Sequence, residues 1–354
     1  MRRVPGRVVT AHRSPLLDRG GAVPADAPDL GVAAHYGDPI REQRTLASGE
    51  GLVDLSHRDV VRINGPDRLS WLHNLTTQRL DTLVPGVGVE ALVLSPQGHV
   101  EHHLMLVDDG DATWAHVEPA ESAALVEFLT SMRFMLRVEV ADVTNDWAIV
   151  WQPAHEPHVD FLTRVDPQHD AIAGRQLFVP RARLAEFAET EGTLVGVGAL
   201  EALRVEAGRP RFGLETDHRT IPHELGWIGG AVVLDKGCYR GQETVAHVAN
   251  LGRPPRRLVR LHLDGSVRET LPPYGTELFV DGTAVGRVTT SAYHHELGPI
   301  ALAVVKYMTP DDASVVVGAD DPGVAASIEA VVERDTTPRP GQAARAGLRG
   351  NSLL

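Results

Sequence analysis

The sequence has very little cysteine, since Cys238 is the only one in 354 residues. A single thiol excludes a disulfide within the chain and a cysteine-rich metal or cluster cage, and it fits a reducing compartment. Long apolar runs are missing too. No segment approaches the ~18 to 20 uncharged apolar residues that cross a bilayer, and the basic start at Met1 continues into proline, glycine and charges. We therefore expect a cytoplasmic protein without a membrane partner.

Positive charge and aromatic residues are also scarce. Lys and Arg number 34 against 47 Asp and Glu, which gives a net charge of -13, and aromatic residues make up 5% of the chain. Because an acidic chain repels polyanions, we expect no direct binding of nucleic acid. The sequence contains no GxGxxG or GK[ST] phosphate loop, no GxSxG nucleophile elbow and no HExxH metal motif, so none of these sites is predicted.

The residues that are present predict a multidomain α+β protein. A hydrophobic content of 43% is globular, and the length predicts two or three domains. Asp38-Pro39 is typical of a helix start, the turn at residues 96–98 indicates a hairpin, and residues 253–257 read as a proline-interrupted, arginine-rich linker. Evenly spaced short strands follow the linker. We predict a flexible arm (1–30), two α+β halves built on antiparallel sheets (31–135 and 136–253), a small antiparallel β-barrel (254–334) and a disordered tail (335–354).

The cysteine lies in a distinctive octapeptide, Lys-Gly-Cys-Tyr-Arg-Gly-Gln-Glu, at residues 236–243. Cations and a helix N-terminus both favour the thiolate, which is the nucleophilic form of cysteine. Lys236 and Arg240 flank the thiol, and the residues after Gly241 read as a loop entering a helix. The alternative is that Cys238 is a small buried hydrophobic residue, as single cysteines often are. A core residue does not need the flanking glycines and charges, so both interpretations stay open.

Two other groups of polar residues could bind a ligand. Glu206 stands at the end of an apolar helix, in the segment Leu203 to Gly208, where a carboxylate could hold the N–H donors of a heterocycle. A solvated glutamate paired with a nearby arginine is the alternative. His99, Glu101 and His103 share one strand face and could converge on a metal, but polar residues alternate on any half-exposed strand. We predict no bound metal.

In this octapeptide the sequence resembles the YgfZ family of folate-binding proteins, which is related to the T-protein (aminomethyltransferase) of the glycine cleavage system. Further matches run along roughly residues 30 to 330. They are His35-Tyr36, Gly51-Leu52-Val53-Asp54-Leu55-Ser56, Gly65-Pro66-Asp67, Leu75-Thr76-Thr77, Leu203 to Gly208 and Ile221-Pro222. The resemblance implies two α+β halves that enclose a tetrahydrofolate pocket, closed by a C-terminal barrel.

The resemblance also implies roles for particular residues. Glu206 matches the carboxylate that holds the pterin ring, and Cys238 with Lys236 matches the residues that mark the YgfZ branch, which is implicated in assembly or maintenance of iron–sulfur enzymes. We therefore assign Cys238 and Lys236 to the reactive site. We assign cofactor binding to Glu206, Arg204, Tyr239 and Gln242. The expected cofactor is tetrahydrofolate or a derivative, and the expected partners are iron–sulfur client or assembly proteins.

Two departures from the related T-proteins bear on the activity. Those relatives carry an Asp pair after a Gly-Gly turn, whereas Gly98 is followed here by His99, Val100, Glu101, His102 and His103, so we do not expect glycine cleavage aminomethyl transfer. An Arg or Lys expected nine residues after the cysteine is replaced by His247. Three functions stay open: a folate-dependent accessory factor for iron–sulfur proteins, which leads; a folate-dependent one-carbon transferase, with Glu101 or His103 moving protons; and a binding module with a structural cysteine.

Overall fold

The N-terminal segment packs onto the body of the protein. The computed structural model describes residues 12–167, 172–250, 252–266, 270–319 and 323–335. A short 3-10 helix at Pro15–Asp18 precedes strands β1 (Val23–Pro24) and β2 (Ala33–His35), which pair with each other. Leu16 is fully buried and the Ser14 hydroxyl bonds to Asp54, so residues 12–30 are held in place, unlike the flexible arm predicted there. Residues 1–11 of that arm lie outside the described residues.

Helix α1 begins where the sequence predicts. It spans Pro39–Ala47, and the Asp38 side chain accepts a hydrogen bond from the Arg41 N–H at 3.0 Å, which satisfies one of the unpaired donors at a helix start. Strand β3 follows at Leu52–Asp54.

The next part of the chain forms a five-stranded antiparallel sheet covered by two helices. Its elements are β4 (Asp59–Asn64), α2 (Arg68–Leu75), β5 (Val89–Leu94), β6 (Val100–Asp108), β7 (Ala112–Val117), α3 (Ser122–Ser131) and β8 (Glu139–Asp142). The strand order is β5-β6-β7-β4-β8. Apolar side chains of α2 and α3, including Leu72, Leu125 and Leu129, pack on one face of this sheet. The predicted hairpin with its turn at residues 96–98 is confirmed as β5 and β6.

A second five-stranded sheet follows. Its elements, with the helices around it, are β9 (Trp147–Gln152), β10 (Leu162–Val165), β11 (Arg175–Pro180), α4 (Leu184–Thr190), β12 (Leu194–Val195) and α5 (Val197–Glu206). Helix α6 (Gln242–Asn250) lies elsewhere, where its Val245 shares a core with Leu92 and Leu94 of β5 in the first sheet. The order is β10-β11-β9-β3-β12, and only the β3–β12 pair is parallel. The two halves exchange strands, because β3 joins the second sheet and β8 joins the first. They are thus interleaved along the chain.

The C-terminal part is a closed barrel. Its strands are β13 (Arg256–Leu263), β14 (Glu277–Val280), β15 (Thr283–His294), β16 (Gly298–Lys306), β17 (Val315–Val317) and β18 (Val324–Ala330). They close in the order β13-β16-β15-β14-β17-β18, with antiparallel neighbours. The predicted α+β fold with a small antiparallel barrel is confirmed. Of the predicted tail, residues 336–354 lie outside the described part.

Helix α5 is the element that joins the three parts. One side packs with α1 and β2, and another side meets β15 of the barrel. Its buried residues Ala199, Leu200 and Leu203 belong to the core between the two sheets. The end of α5 therefore lies where both halves and the barrel meet. Within the described residues, no helix is both long and apolar enough to cross a bilayer.

Candidate functional site

Two adjoining cavities lie beside the end of α5. The smaller has a volume of about 90 Å³ and is lined by both sheets and by α5, whereas the larger has a volume of about 530 Å³. Arg209 and Pro210, just after α5, line both cavities. Binding sites for small molecules have volumes of roughly 300–1,000 Å³, so the larger cavity has the size of a ligand site and the smaller one does not.

The smaller cavity is lined by a buried network of ion pairs centred on Arg211. Its guanidinium lies 2.6 Å from Asp29, 2.7 Å from Glu118 and 3.3 Å from Glu201. Burial would raise the pKa of Glu118, but Arg211 and Arg58 outweigh burial and hold that pKa at about 2. Glu118 is therefore ionised at neutral pH, and the arginine is paired with all three carboxylates. This network joins the N-terminal segment to the end of β7 in the first sheet and to α5.

Arg204, which the sequence assigns to cofactor binding, lines the smaller cavity. Its guanidinium lies 3.0 Å from Glu201 and 3.1 Å from Glu215, and it donates to the Thr290 hydroxyl of the barrel at 2.9 Å. Glu215 is itself buried and accepts from Thr290 at 2.6 Å. The described contacts of Arg204 connect parts of the protein, and its contact with a cofactor stays a prediction.

The larger cavity lies between the first sheet, the end of α5, the loop at residues 225–231 and Val331, just beyond β18. Among the residues that the structure describes, the charged ones in its lining are Glu90 and Arg209, which form an ion pair with each other. His103 Nε2 donates to Glu90 Oε2 at 3.1 Å. Burial would raise the pKa of Glu90, but Arg209 and His103 hold it well below its usual range. Glu90 is therefore an ionised carboxylate on the cavity wall, with its side chain 11% exposed.

The strand residues proposed as metal ligands have separate partners. His103 contacts Glu90 and stacks on Trp227 with ring centroids 5.1 Å apart, whereas Glu101 forms an ion pair with Arg240 at 2.8 Å. No group of three or more His, Cys, Asp or Glu side chains in the described ranges is arranged to hold a metal ion. Residue His99 contributes its backbone N–H to the hairpin turn, bonded to the Ser95 hydroxyl.

Lys236 has a different environment from the one that the octapeptide suggests. Its ammonium is buried and donates to three backbone carbonyls at the C-terminal end of α2, those of His73, Thr76 and Gln78. Burial lowers its pKa to about 8. The charge therefore compensates the negative end of the α2 dipole, and the predicted activation of the thiol by Lys236 has no support in these contacts.

Cys238 itself is exposed, so the alternative of a buried core cysteine is wrong. Its loop is fixed next to the β5–β6 hairpin by two glycines: Gly241 leaves no room for a Cβ beside the Ser95 carbonyl oxygen, and Gly98 leaves none beside Thr244. Arg240 pairs with Glu101 and lies 5.3 Å from the centre of the Phe128 ring. Helix α6 begins at Gln242, which confirms the predicted helix after Gly241.

Three further residues that the sequence assigns to cofactor binding do not line either cavity. Tyr239 packs in the core between the first half and the barrel, with its hydroxyl buried, and burial raises its pKa to about 12. Gln242 donates to the Lys236 carbonyl at 3.3 Å. Glu206 lies 3.2 Å from His294 Nε2 on β15, with its side chain 41% exposed. Their folate contacts therefore stay predictions.

Several residues that line the cavities were not predicted from the sequence, among them Glu90, Trp227, Arg209 and Arg211. Two signals were available. Arg209-Pro210-Arg211 follows directly after the segment ending at Gly208, and Gly226-Trp227-Ile228-Gly229-Gly230 places a tryptophan between glycines, ahead of the octapeptide. Glu90 carries no such signal, because it is one polar residue on an edge strand.

Comparison with known proteins agrees with this architecture. Residues 256–335 match the family described as the glycine cleavage T-protein C-terminal barrel domain. The chain is 25% identical to a putative chloroplastic transferase of Arabidopsis thaliana, over 87% of this chain and 77% of that protein. It is 24% identical to the aminomethyltransferase of Bacillus subtilis (strain 168), over 86% of this chain and 93% of that protein.

The likeness extends to a solved structure. Glycine cleavage system aminomethyltransferase T from Bartonella henselae superposes with a TM-score of 0.77 at 19% identity, and the match covers 89% of this chain and 95% of that one. The chain therefore has the fold of aminomethyltransferase T, and a T-protein-type barrel closes it at the C-terminus.

Proposed function

We propose that this chain is a YgfZ-like protein of the cytoplasm that binds tetrahydrofolate or a derivative and assists the assembly or maintenance of iron–sulfur enzymes. The observation that carries the folate part is the 530 Å³ cavity at the junction of both halves and the barrel, in a chain with the fold of aminomethyltransferase T. The ionised Glu90 on its wall offers an acceptor for a polar ring, and the Trp227 indole lines the same cavity.

The proposed residues divide into two groups. Two carboxylates are candidates for holding the pterin ring: Glu206 by the resemblance, and Glu90 by its position on the cavity wall. The sequence assigns Arg204, Tyr239 and Gln242 to cofactor binding as well. For the iron–sulfur role, Cys238 supplies an exposed thiol and Lys236 holds its loop to α2. A [4Fe–4S] cluster usually takes four thiolates, so one cysteine supports only transient or shared handling of a cluster or sulfur.

Calorimetric titration with tetrahydrofolate tests the folate part. Gly230 lines the larger cavity, its backbone φ is ordinary, and a Cβ there meets open space, so Gly230→Trp fills the cavity without backbone strain. Gly20 also has open space around a Cβ, but it lies outside both cavities, so Gly20→Trp is the matched control. We expect binding by the wild type and by Gly20→Trp, and none by Gly230→Trp. Equal binding by all three proteins would place the folate elsewhere, and no binding by the wild type would remove the folate role.

A complementation assay tests the iron–sulfur part. In a strain that lacks the protein, we expect Cys238→Ala to restore iron–sulfur enzyme activity much less than the wild type, because the thiol is the reactive group. Thr244→Ser, a mild change on the adjacent helix, is the control and should restore activity fully. Full restoration by Cys238→Ala would leave the exposed cysteine without this function.

A second candidate is a folate-dependent one-carbon transferase. It is favoured by the names of the relatives, an aminomethyltransferase and a putative transferase, and by the hydrogen-bonded His103–Glu90 pair on the cavity wall, which could move a proton. Formation of 5,10-methylenetetrahydrofolate from tetrahydrofolate and candidate aminomethyl donors, with release of ammonia and abolished in His103→Gln, would support this activity. Absence of product with every donor would favour the accessory role.

A further inference from the structure

Residues 133–137, just after helix α3, form an exposed apolar tip on the first half. The exposed fractions of Phe134, Met135 and Leu136 are 79%, 97% and 42%, whereas Val138 directly after the tip is buried in the core of the first sheet. The three side chains expose on the order of 400 Å² of surface. An exposed apolar patch of this size on a soluble protein often marks an interaction site.

The tip is fixed to the protein on both sides. Arg137 donates to Asp67, just before α2, from its backbone N–H at 2.8 Å and from its guanidinium at 2.7 Å. On the other side, the Trp71 indole N–H of α2 donates to the Met132 carbonyl at 3.1 Å. Apolar side chains on a segment that is already fixed lose less conformational entropy when a partner covers them. The tip is therefore suited to recognition of a partner.

Phe134 has a backbone conformation that costs free energy. Its φ is +48°, in the left-handed region that bulky residues other than glycine rarely adopt. The turn is closed by a hydrogen bond from the Leu136 N–H to the Arg133 carbonyl at 3.0 Å. Because the phenyl ring is exposed, its burial within the chain does not offset this cost. Strained backbone of this kind is concentrated at functional segments.

The tip carries positive charge in an acidic protein. Residues 131–137 include Arg133 and Arg137 and no acidic residue, whereas the whole chain has a net charge of -13. Arg137 is paired with Asp67, but the guanidinium of Arg133 donates only to the Val138 carbonyl among its described contacts. A partner that places a carboxylate beside an apolar pocket would complement both features of the tip.

The tip and the octapeptide lie beside the same two helices of the first half. The tip is bonded to Asp67 at the N-terminal end of α2, whereas Lys236 lies on the carbonyls at the C-terminal end. Arg240 lies over Phe128 of α3, one turn before that helix ends. The 8 residues of α2 span about 12 Å, and one side of a standard interface is roughly 30 Å across. One partner that covers the tip can therefore also reach the exposed Cys238.

We propose that the tip at residues 133–137 is the docking surface for a protein partner that has an apolar pocket with a carboxylate at its rim, and that the docked partner meets Cys238. That this partner is an iron–sulfur client rests on the proposed function. The tip supplies about half of the ~800 Å² that one partner buries in a standard interface. The contact must therefore extend along α2 and α3 toward the thiol.

Two other occupants fit the tip less well. A second copy of this chain, bound tip to tip about a two-fold axis, would bring Arg133 and Arg137 of both copies together. A lipid surface would take up only three apolar side chains, which is less than the single acyl chain that binds membranes marginally. Anionic lipids would also repel a chain with a net charge of -13.

Photo-crosslinking with the full chain tests the docking surface. The photoreactive residue p-benzoylphenylalanine replaces Met135 in one protein and Val159 in a control, because Val159 is 93% exposed in the loop before β10. In a third protein, benzophenone maleimide labels Cys238. Each is irradiated in an extract of the cells that express the chain. We expect one and the same protein to be captured from position 135 and from Cys238, and not from position 159.

Titration of the captured protein, once purified, measures the contribution of the tip. Phe134→Ser and Arg133→Glu should each weaken its binding by about 10- to 100-fold, the effect of losing a central interface contact. Val159→Ser removes an equally exposed apolar side chain and should bind like the wild type. Circular dichroism and urea unfolding check the fold of each variant. Met135→Ser, at a residue without left-handed backbone, carries the test if Phe134→Ser does not fold.

Several results would overturn the inference. They are equal capture from positions 135 and 159, no capture or a different protein from Cys238, and unchanged affinity in the tip variants. A product with the mass of two chains would make a second copy the occupant. Sedimentation with vesicles of phosphatidylglycerol and phosphatidylethanolamine, lost in Met135→Ser, would make it a lipid surface.

The outcome for the docking surface is separate from the outcome for the proposed function. A captured partner that binds through the tip but carries no iron–sulfur cluster would support the docking surface and count against the iron–sulfur role. Conversely, failure of capture at the tip, with Cys238→Ala still defective in complementation, would remove the docking surface and leave that role standing.

Discussion

Lys236 shows how a residue can be conspicuous in the sequence and yet have a role that only the fold reveals. It is one of two lysines among the 34 basic residues, the other being Lys306. Next to the only cysteine it suggests activation of a thiol, but its ammonium lies on three carbonyls of residues 73, 76 and 78, about 160 positions earlier. Contacts at that separation leave no trace in local sequence patterns. The octapeptide could be found from the sequence alone, but the three carbonyls that Lys236 contacts could not.

Replacement of Lys236 by methionine should destabilise the protein. The apolar stem is kept, but three buried carbonyls lose their donor, so we expect a loss of roughly 1–3 kcal/mol in the free energy of unfolding. Equilibrium urea unfolding at pH 7 measures it. Lys306→Met is the control, because that ammonium donates to one carbonyl at an exposed site and should cost less than about 0.5 kcal/mol. Equal stability of Lys236→Met and the wild type would show that the three contacts contribute nothing.

Glu118 should make stability depend on acid pH. Its pKa is held at about 2 in the folded protein, below the ordinary glutamate value, because Arg211 and Arg58 outweigh the effect of burial. The folded state then binds fewer protons than the unfolded state between about pH 4.5 and pH 2, so this contribution is complete above that window and is lost as pH falls through it. Its size is on the order of 3 kcal/mol. Urea unfolding between pH 3 and pH 6 should show a shallower pH dependence in Glu118→Gln, and identical slopes would contradict this account.

At the scale of elements, local signals located most helices and strands but not their pairing. The Asp38-Pro39 cap and the hairpin turn at residues 96–98 both lie where expected. Strand β10 was not predicted, because its residues lie in a polar stretch with histidines and prolines. The exchange of β3 and β8 between the sheets was not predicted either, because the pairing of distant strands depends on tertiary packing rather than on periodicity.

Gly241 should be far more sensitive to substitution than a glycine of similar backbone conformation elsewhere. Its φ is +82°, and an added Cβ would lie 2.6 Å from the Ser95 carbonyl oxygen. Gly49, after α1, has a φ of +84° and open space around a Cβ. We expect Gly49→Ala to cost about 1–2 kcal/mol from the left-handed conformation alone.

Gly241→Ala adds overlap with the β5–β6 hairpin, so its cost should reach roughly 3 kcal/mol or more. Urea unfolding of both variants measures the difference. The alkylation rate of Cys238 would report whether its loop leaves the hairpin. Equal losses in the free energy of unfolding for Gly241→Ala and Gly49→Ala would mean that the structure relieves the close approach at Gly241 without losing stability.

At the scale of the whole molecule, Arg204 joins the halves to the barrel. It connects Glu201 on α5, buried Glu215 and Thr290 on β15. Removing one partner of a buried ion network leaves the others unpaired, so Arg204→Met should cost about 3–5 kcal/mol. The barrel should then unfold separately from the halves, which differential scanning calorimetry would detect as a second transition. Arg183→Met breaks an exposed pair and should cost less than about 0.5 kcal/mol; a single transition and a similarly small cost in Arg204→Met would contradict this role.

The overall architecture could be predicted because it rests on signals spread along the chain, namely two α+β patterns, a proline-rich linker and evenly spaced barrel strands. The cavity could not, because its wall combines Glu90 from one strand, Arg209 after α5, Trp227 from a loop and Val331 beyond the barrel. Only the folded chain brings these four residues together.

A crystal structure of the protein with tetrahydrofolate tests the central claim most directly. The account predicts a pterin ring in the 530 Å³ cavity, with a ring N–H group within about 3 Å of a Glu90 carboxylate oxygen. A pterin ring bound outside this cavity would contradict it.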